Sequence, residues 1–193
     1  MKLQDRLPDG VTVDGRFFRL DFDFRNVLRM MDVMARADIM IEARDYLALK
    51  CLTKHPRHPD KVLPAVYAVL FEEAPKSEGP KVTDFVQDAG LIRAAFLQSY
   101  GIDLYHDRLH WIAFRELLCA LPEGSRYRDI VGIRAKPIPA PTKWNGDERA
   151  WLMKAKAEVA LRIGDDEERQ EKYRQDVAEV AAALLAWAEV KHG

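Results

Sequence analysis

His106 and His110 stand four positions apart in the stretch HDRLHW, a spacing that lets two imidazoles on one helix face bind the same zinc ion. Asp107 occupies the position at which the H-E-x-x-H motif of metalloproteases carries a glutamate as general base. The aspartate side chain is shorter by one methylene, so we expect its carboxylate to fall short of a metal-bound water. A zinc site also needs a third protein ligand, and the carboxylates that could serve are Glu116, Glu123 and Asp129.

Other residues with reactive side chains give no stronger indication of a site. The carboxylates just named are weak support, because almost any helical protein of this composition offers them. His55 and His58 flank prolines, where solvated side chains are the more common finding. No serine lies in a G-x-S-x-G elbow, and Cys51 and Cys119 lie in apolar helical patterns that predict buried free thiols. We therefore predict no catalytic residue, no metal site and no cofactor; a zinc-dependent hydrolase is an alternative.

The composition is that of an ordinary globular protein. The chain has 193 residues, of which 48% are hydrophobic and 32% charged, with 30 Lys and Arg against 31 Asp and Glu. This balanced charge does not indicate a nucleic-acid partner. No stretch approaches the roughly 20 apolar residues that a bilayer crossing requires, and the first residues lack the apolar run of a secretory signal. We expect a protein of the reducing cytoplasm with no membrane partner.

Mostly helices are predicted to position these side chains. Residues 11–20 alternate in polarity around Asp14-Gly15, a dipeptide typical of the tight turn of a β-hairpin. Asp23 and Asp38 each precede an apolar pattern of helical period, and each is predicted to cap the N-terminus of a helix. The predicted fold class is therefore mainly α, with a short N-terminal β-hairpin, a multi-helix bundle and a C-terminal helical extension.

Both histidines of HDRLHW are predicted to lie on the second helix of a helical hairpin. Gly101 follows a helical pattern and can end the first helix in a left-handed conformation, and Asp103 can cap the second. His106 and His110 then share one helix face. The side chains expected in the core of this helical hairpin are Phe85, Ala89, Ile92, Phe96, Trp111, Phe114 and Leu118.

The stretch PIPAPTK at residues 137–143 is predicted to divide the chain. Its prolines exclude a regular helix and favour an extended linker. We predict a domain with the β-hairpin and helices over residues 1–136 and a helical region over residues 144–193. Near the C-terminus, apolar residues recur at alternating spacings of four and three over about two heptads, which fits packing on the protein's own body or on a partner. These residues are Tyr173, Val177, Val180, Leu184 and Trp187.

Several short motifs resemble those of one protein family. They are DF-x-QDA at 84–89, AAF at 94–96, YGIDL at 100–104 and HW-x-x-F-x-x-LL at 110–118. Together with a DG turn and a DFR element near the N-terminus, they resemble the bacteriophage gene-product-fifteen family of small helical proteins, encoded in the tail-assembly region of phage genomes. Of the two histidines only His110 belongs to a shared motif, which weakens the zinc interpretation. Asp88, across the helical hairpin, is a candidate hydrogen-bond partner for it.

The resemblance implies a non-catalytic role in building a phage tail. Such proteins look like tail assembly chaperones, which keep the tape-measure protein soluble and help tail-tube subunits to assemble around it. We expect this activity in the host bacterial cytoplasm, with a homo-oligomer as one form; a structural virion component at the head–tail or tail-tip junction is the alternative. The residues predicted to bind a partner through amphipathic helix surfaces are Trp144, Trp151, Val177, Leu184 and Trp187.

Overall fold

The structure, a computed structural model, describes residues 4–71 and 81–162. In these residues a two-stranded antiparallel sheet precedes seven helices, which confirms the mainly α fold class. None of these helices has both the length and the apolar content needed to cross a bilayer. The elements are β1 Gly10–Val13, β2 Arg16–Arg19, α1 Phe24–Met34, α2 Ile41–Leu52, α3 Pro59–Phe71, α4 Ala89–Tyr100, α5 Trp111–Cys119, α6 Arg126–Ala135 and α7 Gly146–Glu158.

The N-terminal β-hairpin forms around the turn that the sequence predicts. Asp14 and Gly15 both have positive φ angles, 51° and 75°, as a type I′ turn requires. Val11 lies opposite Phe18 in the register, and β1 packs against α3, which leaves Val11 buried. Because a lone β-hairpin is marginally stable in water, this packing on a helix is needed to hold the strands.

The two predicted N-caps have different outcomes. The Asp23 carboxylate accepts a hydrogen bond from the Arg25 amide at 3.0 Å and caps α1, as predicted. The prediction for Asp38 is wrong, because α2 begins at Ile41 without a side-chain cap. Asp38 instead accepts hydrogen bonds from two guanidinium nitrogens of Arg36, at 3.1 and 2.7 Å, so both of its oxygens are already engaged.

The helices α2 and α3 form an antiparallel pair. Residues 53–58 connect them, and the two helices pack against each other. Burial raises the pKa of Tyr67, in the second half of α3, and the charges of Arg44 and Asp45 act on the same group. Since Arg44 and Asp45 belong to the first half of α2, the start of α2 lies beside the end of α3.

An aromatic cluster around Phe114 forms the core between α1, α4 and α5. The Phe114 ring stacks on Phe24 and on Phe96, with 4.7 and 5.3 Å between ring centroids, and on Trp111 at 5.8 Å. Phe85 lies in the turn before α4 rather than on the helix, but its ring also reaches Phe114 at 6.1 Å. Among the side chains predicted for this core, the buried ones are Ile92, Phe96, Trp111 and Phe114, and the half-buried ones are Phe85, Ala89 and Leu118.

The residues that follow α4 form a turn instead of a new helix. Gly101 ends α4 with a φ angle of 70°, as predicted. Asp103 caps no helix, contrary to the prediction. Both of its carboxylate oxygens accept hydrogen bonds from Arg93 at 2.7 Å, and one of them also accepts from the Tyr105 amide.

Backbone hydrogen bonds with Phe22 and Phe24 prevent α5 from starting before Trp111. The Leu109 carbonyl accepts a hydrogen bond from the Phe24 amide at 2.9 Å, and the Trp111 amide donates to the Phe22 carbonyl at 2.8 Å. These bonds join residues more than eighty positions apart and hold the chain extended before α5. The helix therefore begins at Trp111.

The last described helix packs back on the body of the protein. Leu152 of α7 is 1% exposed, and Nε of Arg134 in α6 donates to the Val159 carbonyl at 2.6 Å. Residues 137–142 are not helical, as the prolines predict. One compact unit spans Met1–Val159. The domain boundary at residues 137–143 stays a prediction.

The thiols are more accessible than the sequence predicts. Cys51 is half-buried and Cys119 is exposed, and both are free, so the prediction of two buried thiols is wrong. Cys119 stands five positions after Phe114 in α5, which at about 3.6 residues per turn places it on the far side of the helix from the core.

Candidate functional site

The His110 side chain is engaged at both ring nitrogens by the fold itself. Nδ1 accepts a hydrogen bond from the Ile112 amide at 3.1 Å and so caps α5. The proton therefore sits on Nε2, which donates to the Pro8 carbonyl at 2.9 Å. The ring lies edge-on to Phe22, with 5.8 Å between centroids, and burial lowers the pKa of His110. No lone pair of this imidazole is left for a metal ion.

The second histidine of the predicted pair lies elsewhere. His106 belongs to the turn before α5; its side chain is 80% exposed and lies 4.0 Å from the Asp103 carboxylate. The prediction that both imidazoles share a helix face is wrong, because His110 is the N-cap and His106 precedes it. The predicted contact between His110 and Asp88 is also wrong, since Asp88 pairs with Arg134. Within residues 4–71 and 81–162, no three His, Cys, Asp or Glu side chains are grouped closely enough to hold a metal ion.

Asp88 and Arg134 form a buried ion pair that connects three parts of the fold. Asp88 is 1% exposed, and its carboxylate accepts hydrogen bonds from Arg134 at 2.7 Å and from the Asp84 amide at 2.9 Å. The same guanidinium donates to the carbonyls of Val82 and Val159 at 3.1 and 2.6 Å. These contacts tie α6 to the segment before α4 and to the end of α7, so the charges are compensated inside the fold.

Two tryptophans that were predicted to bind a partner are exposed to solvent, one in α7 and one just before it. Trp144 is 89% exposed and Trp151 is 60% exposed, whereas Leu152 between Trp151 and Met153 is buried. Successive residues are about 100° apart around a helix, so Trp151 and Met153 flank Leu152 on its two sides. The apolar residues of α7 therefore extend beyond the side of the helix that is buried against the protein. We call Trp144, Trp151 and Met153 the α7 surface.

The remaining predicted partner residues cannot be placed in this way. Val177, Leu184 and Trp187 lie outside the described residues, as does the whole apolar stripe at positions 173–187. Their role as contact residues stays a prediction from the sequence.

Exposed apolar side chains on α3 and just before α2 were missed by sequence reasoning. Residues 62–71 of α3 include no charged side chain, and a helix that is apolar all round is normally buried. Val69 is nevertheless 40% exposed, and Met40, just before α2, is 75% exposed. The uncharged run in α3 is the signal that could have located these residues. Further exposed apolar side chains on α2 and α3 are Ile41, Leu47, Pro64 and Ala68.

One comparison with known proteins returned a match. The family model described as Bacteriophage Gp15 protein matches residues 3–161. The matched stretch includes the β-hairpin, the aromatic core and α1 to α7, and it ends before the C-terminal apolar stripe. No curated protein and no solved structure matches the chain significantly.

Proposed function

Because the chain belongs to the bacteriophage Gp15 protein family, we propose that it is a structural or assembly protein of a phage. More specifically, we propose a tail assembly chaperone that binds the tape-measure protein through helix surfaces and catalyses no reaction. The family match supports the phage role, and the tail-region resemblance of residues 83–136 supports the tail as its place of action.

The α7 surface is the observation that carries this proposal. Tryptophan is enriched in protein interfaces, because it buries a large rigid area at a small cost in side-chain entropy. Trp144 and Trp151 are largely in solvent, although Trp111 of the same chain is 3% exposed in the core. Burying one such side chain on a partner contributes about 1.5 to 3 kcal/mol.

The partner that suits this surface is an amphipathic helix. The exposed side chain of Trp151 on α7, together with Trp144 just before this helix, can insert into the apolar stripe of a second helix, in the way that helix-in-groove complexes form. A long helical protein such as the tape-measure protein exposes stripes of this kind and aggregates through them until they are covered. The remainder of α7 is charged and exposed, which keeps such a complex soluble; these residues are Asp147, Glu148, Lys154 and Glu158.

The proposal also covers location and other partners. We propose that the protein acts in the host bacterial cytoplasm while tails are assembled, and that tail-tube subunits are a second class of partner. Self-association into a homo-oligomer is compatible with the exposed apolar residues on α7.

Co-expression with the tape-measure protein of the same phage tests the proposal. The expected result is co-purification and a larger soluble fraction of the tape-measure protein. The double variant Trp144→Ala with Trp151→Ala is expected to lose both effects. Leu97→Ala, which removes an apolar side chain 46% exposed on α4, is the matched control and is expected to retain them. A wild-type chain that neither binds nor solubilises the tape-measure protein would contradict the proposal.

Mass spectrometry of purified phage particles separates the chaperone from a structural virion component. A chaperone leaves before the particle is complete, so we expect the protein to be absent from particles or far below stoichiometric amounts. Stoichiometric amounts in the particle would favour the structural component at the head–tail or tail-tip junction.

A further inference from the structure

Helix α7 is attached to the protein by little apolar burial. Among its 13 residues Leu152 is the one buried side chain. Over a similar length, α3 buries four side chains and α4 buries three. Leu152 does not belong to the main hydrophobic core, and neither does Ile130, a buried residue of α6, the helix against which α7 packs. The apolar contact of α7 is therefore small and lies apart from the core.

Two hydrogen bonds join the ends of α6 and α7. Lys156 Nζ donates to the Arg134 carbonyl at 2.5 Å, and Arg134 Nε donates to the Val159 carbonyl at 2.6 Å. Both carbonyls lie at the C-terminal end of a helix, where no amide of the same helix can reach them. Each helix thus provides a cation that binds the end of the other. We call these two hydrogen bonds the reciprocal caps.

The connection between α6 and α7 allows the two helices to separate. The reciprocal caps hold the C-terminal ends of both helices near each other, so the chain from α6 has to run back along α7 to reach its start. Helix α7 is about 20 Å long, and an extended stretch of seven residues such as 137–143 spans about 22 Å. None of these seven residues is buried. Asn145 and Arg149 donate to carbonyls of this stretch, so it can move together with the start of α7.

We propose that α7 opens from the protein as a unit, by separating from α6, and that the partner helix of the proposed function binds the opened form. Leu152 lies between Trp151 and Met153 around the helix, so opening joins these three side chains into one apolar band. The partner helix then takes the place of α6 against Leu152. The binding step rests on the proposed function, whereas the opening step does not.

Opening of α7 is favoured over global unfolding because it disrupts little structure. It exposes Leu152 and breaks the reciprocal caps, but the ion pair of Asp88 with Arg134 and the aromatic core stay in place. Regions with few buried apolar contacts open at a lower free energy than the core of the same protein. A separate helix of 13 residues is marginally stable in water, so the backbone amides of α7 exchange with solvent once the helix has separated.

The opening step has a consequence for affinity that a rigid α7 surface does not have. In the closed form Leu152 is held against the body, so only the open fraction offers the complete apolar band. The apparent dissociation constant equals the intrinsic one divided by that open fraction. A variant in which α7 opens more often therefore binds the partner more tightly, although it has lost a contact within its own fold.

Amide hydrogen exchange of the full chain, followed by mass spectrometry, tests the opening step. Relative to unfolded peptides, we expect the amides of α7 to exchange at least about a hundredfold faster than those of α4 and α5. Low concentrations of urea are expected to accelerate exchange in α4 and α5 but hardly in α7, because opening exposes little surface. Equal protection and equal urea dependence in the three helices would mean that α7 opens only in global unfolding, and would overturn the inference.

Lys156→Met is the variant that favours opening. Methionine keeps an apolar chain at this position but cannot donate to the Arg134 carbonyl. We expect exchange of the α7 amides to become about tenfold faster, with exchange of α4 unchanged. Lys154→Met, which replaces an exposed lysine of the same helix, is the matched control and is expected to change exchange by less than about twofold. Circular dichroism verifies that both variants are folded.

A competition experiment tests the binding step. The wild type and one variant, with different affinity tags, are co-expressed with a limiting amount of the tape-measure protein of the same phage. We expect Lys156→Met to be several-fold enriched over the wild type in the complex, and Lys154→Met to be present in equal amounts. Trp144→Ala with Trp151→Ala is expected to be depleted. Equal amounts of the wild type and Lys156→Met, or depletion of Lys156→Met, would overturn the binding step.

The two proposals can fail separately. If no chain binds the tape-measure protein, the proposed function fails and the binding step fails with it, while faster exchange of α7 than of α4 still supports the opening step. If the chains bind but exchange of α7 is unchanged in Lys156→Met, the opening through the reciprocal caps is wrong and the proposed function stands.

Discussion

The His110 imidazole links the start of α5 to the N-terminal segment through one hydrogen bond at each nitrogen. Nδ1 has to remain unprotonated to accept from the Ile112 amide, because protonation would place two hydrogens in the same bond. Burial, the largest effect, lowers the pKa of His110, whereas the hydrogen bond to the Pro8 carbonyl and the charge of Asp21 act to raise it. The neutral ring is thus part of the folded structure.

The free energy of unfolding is expected to decrease as the pH falls below 6.5, the ordinary pKa of histidine. The folded state holds the pKa of His110 below that value, so the unfolded chain takes up the proton first and is favoured. The contribution is complete above pH 6.5 and is lost as the pH falls from there toward the folded pKa. Urea unfolding at several pH values between about 7.5 and 5 measures it.

The matched variant for this experiment is His110→Asn. Asparagine is a good N-cap residue and does not titrate, so we expect a flatter dependence of unfolding free energy on pH. Asp84 does not titrate in this range: burial opposes its ionisation, but hydrogen bonds from Lys81 and two backbone amides lower its pKa to about 2. The same slope in the wild type and in His110→Asn would contradict the assignment to this imidazole.

The β-hairpin depends on a glycine that its sequence pattern did not single out. A Cβ on Gly10 would lie 2.1 Å from the Phe18 carbonyl oxygen and 2.7 Å from the Phe17 ring. Phe17 is 53% exposed, and its ring lies over Gly10 across the two strands. This exposed aromatic side chain therefore packs within the β-hairpin.

Gly10→Ala is expected to destabilise the protein by about 1 to 3 kcal/mol, because the added methyl group forces the strands apart. Gly90→Ala is the matched control: it lies in α4, and a Cβ there meets nothing within 4 Å. Alanine is the better helix former, so this variant is expected to gain about 0.5 to 1 kcal/mol. Urea unfolding measures the stability of both variants. An unchanged free energy of unfolding for Gly10→Ala would mean that the strands adjust to the added methyl group.

The contact between α4 and α5 concentrates aromatic area in the core. Phe96→Ala and Trp111→Ala, at positions 0% and 3% exposed, are each expected to cost about 3 to 5 kcal/mol of stability. Leu97→Ala, the neighbour that faces solvent on α4, is expected to cost less than about 1 kcal/mol. Chemical denaturation measures all three. A small decrease in the free energy of unfolding for Phe96→Ala and Trp111→Ala would contradict a stabilising role for the aromatic cluster.

In the whole molecule, α7 belongs to the same compact unit as the β-hairpin and the aromatic core. Leu152 is buried, and Lys156 donates a hydrogen bond to the Arg134 carbonyl at 2.5 Å. Arg134 in turn holds Asp88, so removing α7 disturbs a buried ion pair as well as an apolar contact.

A chain that ends at Arg162 is therefore expected to keep these contacts and to unfold cooperatively. A chain that ends at Lys136 is expected to be destabilised by several kcal/mol, because it loses the burial of Leu152 and exposes Arg134. Thermal melts followed by circular dichroism distinguish the two fragments. Equal midpoints would place the boundary of the folded unit at the proline-rich stretch instead.

Exposed apolar side chains lie on α7, on α3 and just before α2 of the same compact unit. The α7 surface includes two residues that the sequence predicted, Trp144 and Trp151, whose role in binding is a proposal. The exposure of Met40 and Val69 was not predicted. Periodicity alone assigns an uncharged helix to the core, and exposure depends on which neighbours cover it.

Local chemistry was sufficient for part of this structure. The turn at Asp14-Gly15, the cap at Asp23 and the left-handed end of α4 at Gly101 follow from backbone preferences within a few residues, and all three were predicted. The mainly α fold class follows from the same local periodicity.

The tertiary structure decided the place of His110, because its Nε2 donates to the Pro8 carbonyl and the residues on either side of it form backbone hydrogen bonds with Phe22 and Phe24, all distant in sequence. The carboxylates of Asp103 and Asp38 are instead engaged by Arg93 and Arg36, which are near in sequence. A four-residue spacing shares a helix face only where a helix forms, and long-range hydrogen bonds with α1 prevented one before Trp111. The sequence shows which hydrogen-bond partners a side chain could have, and the fold determines which of them lie within hydrogen-bond distance.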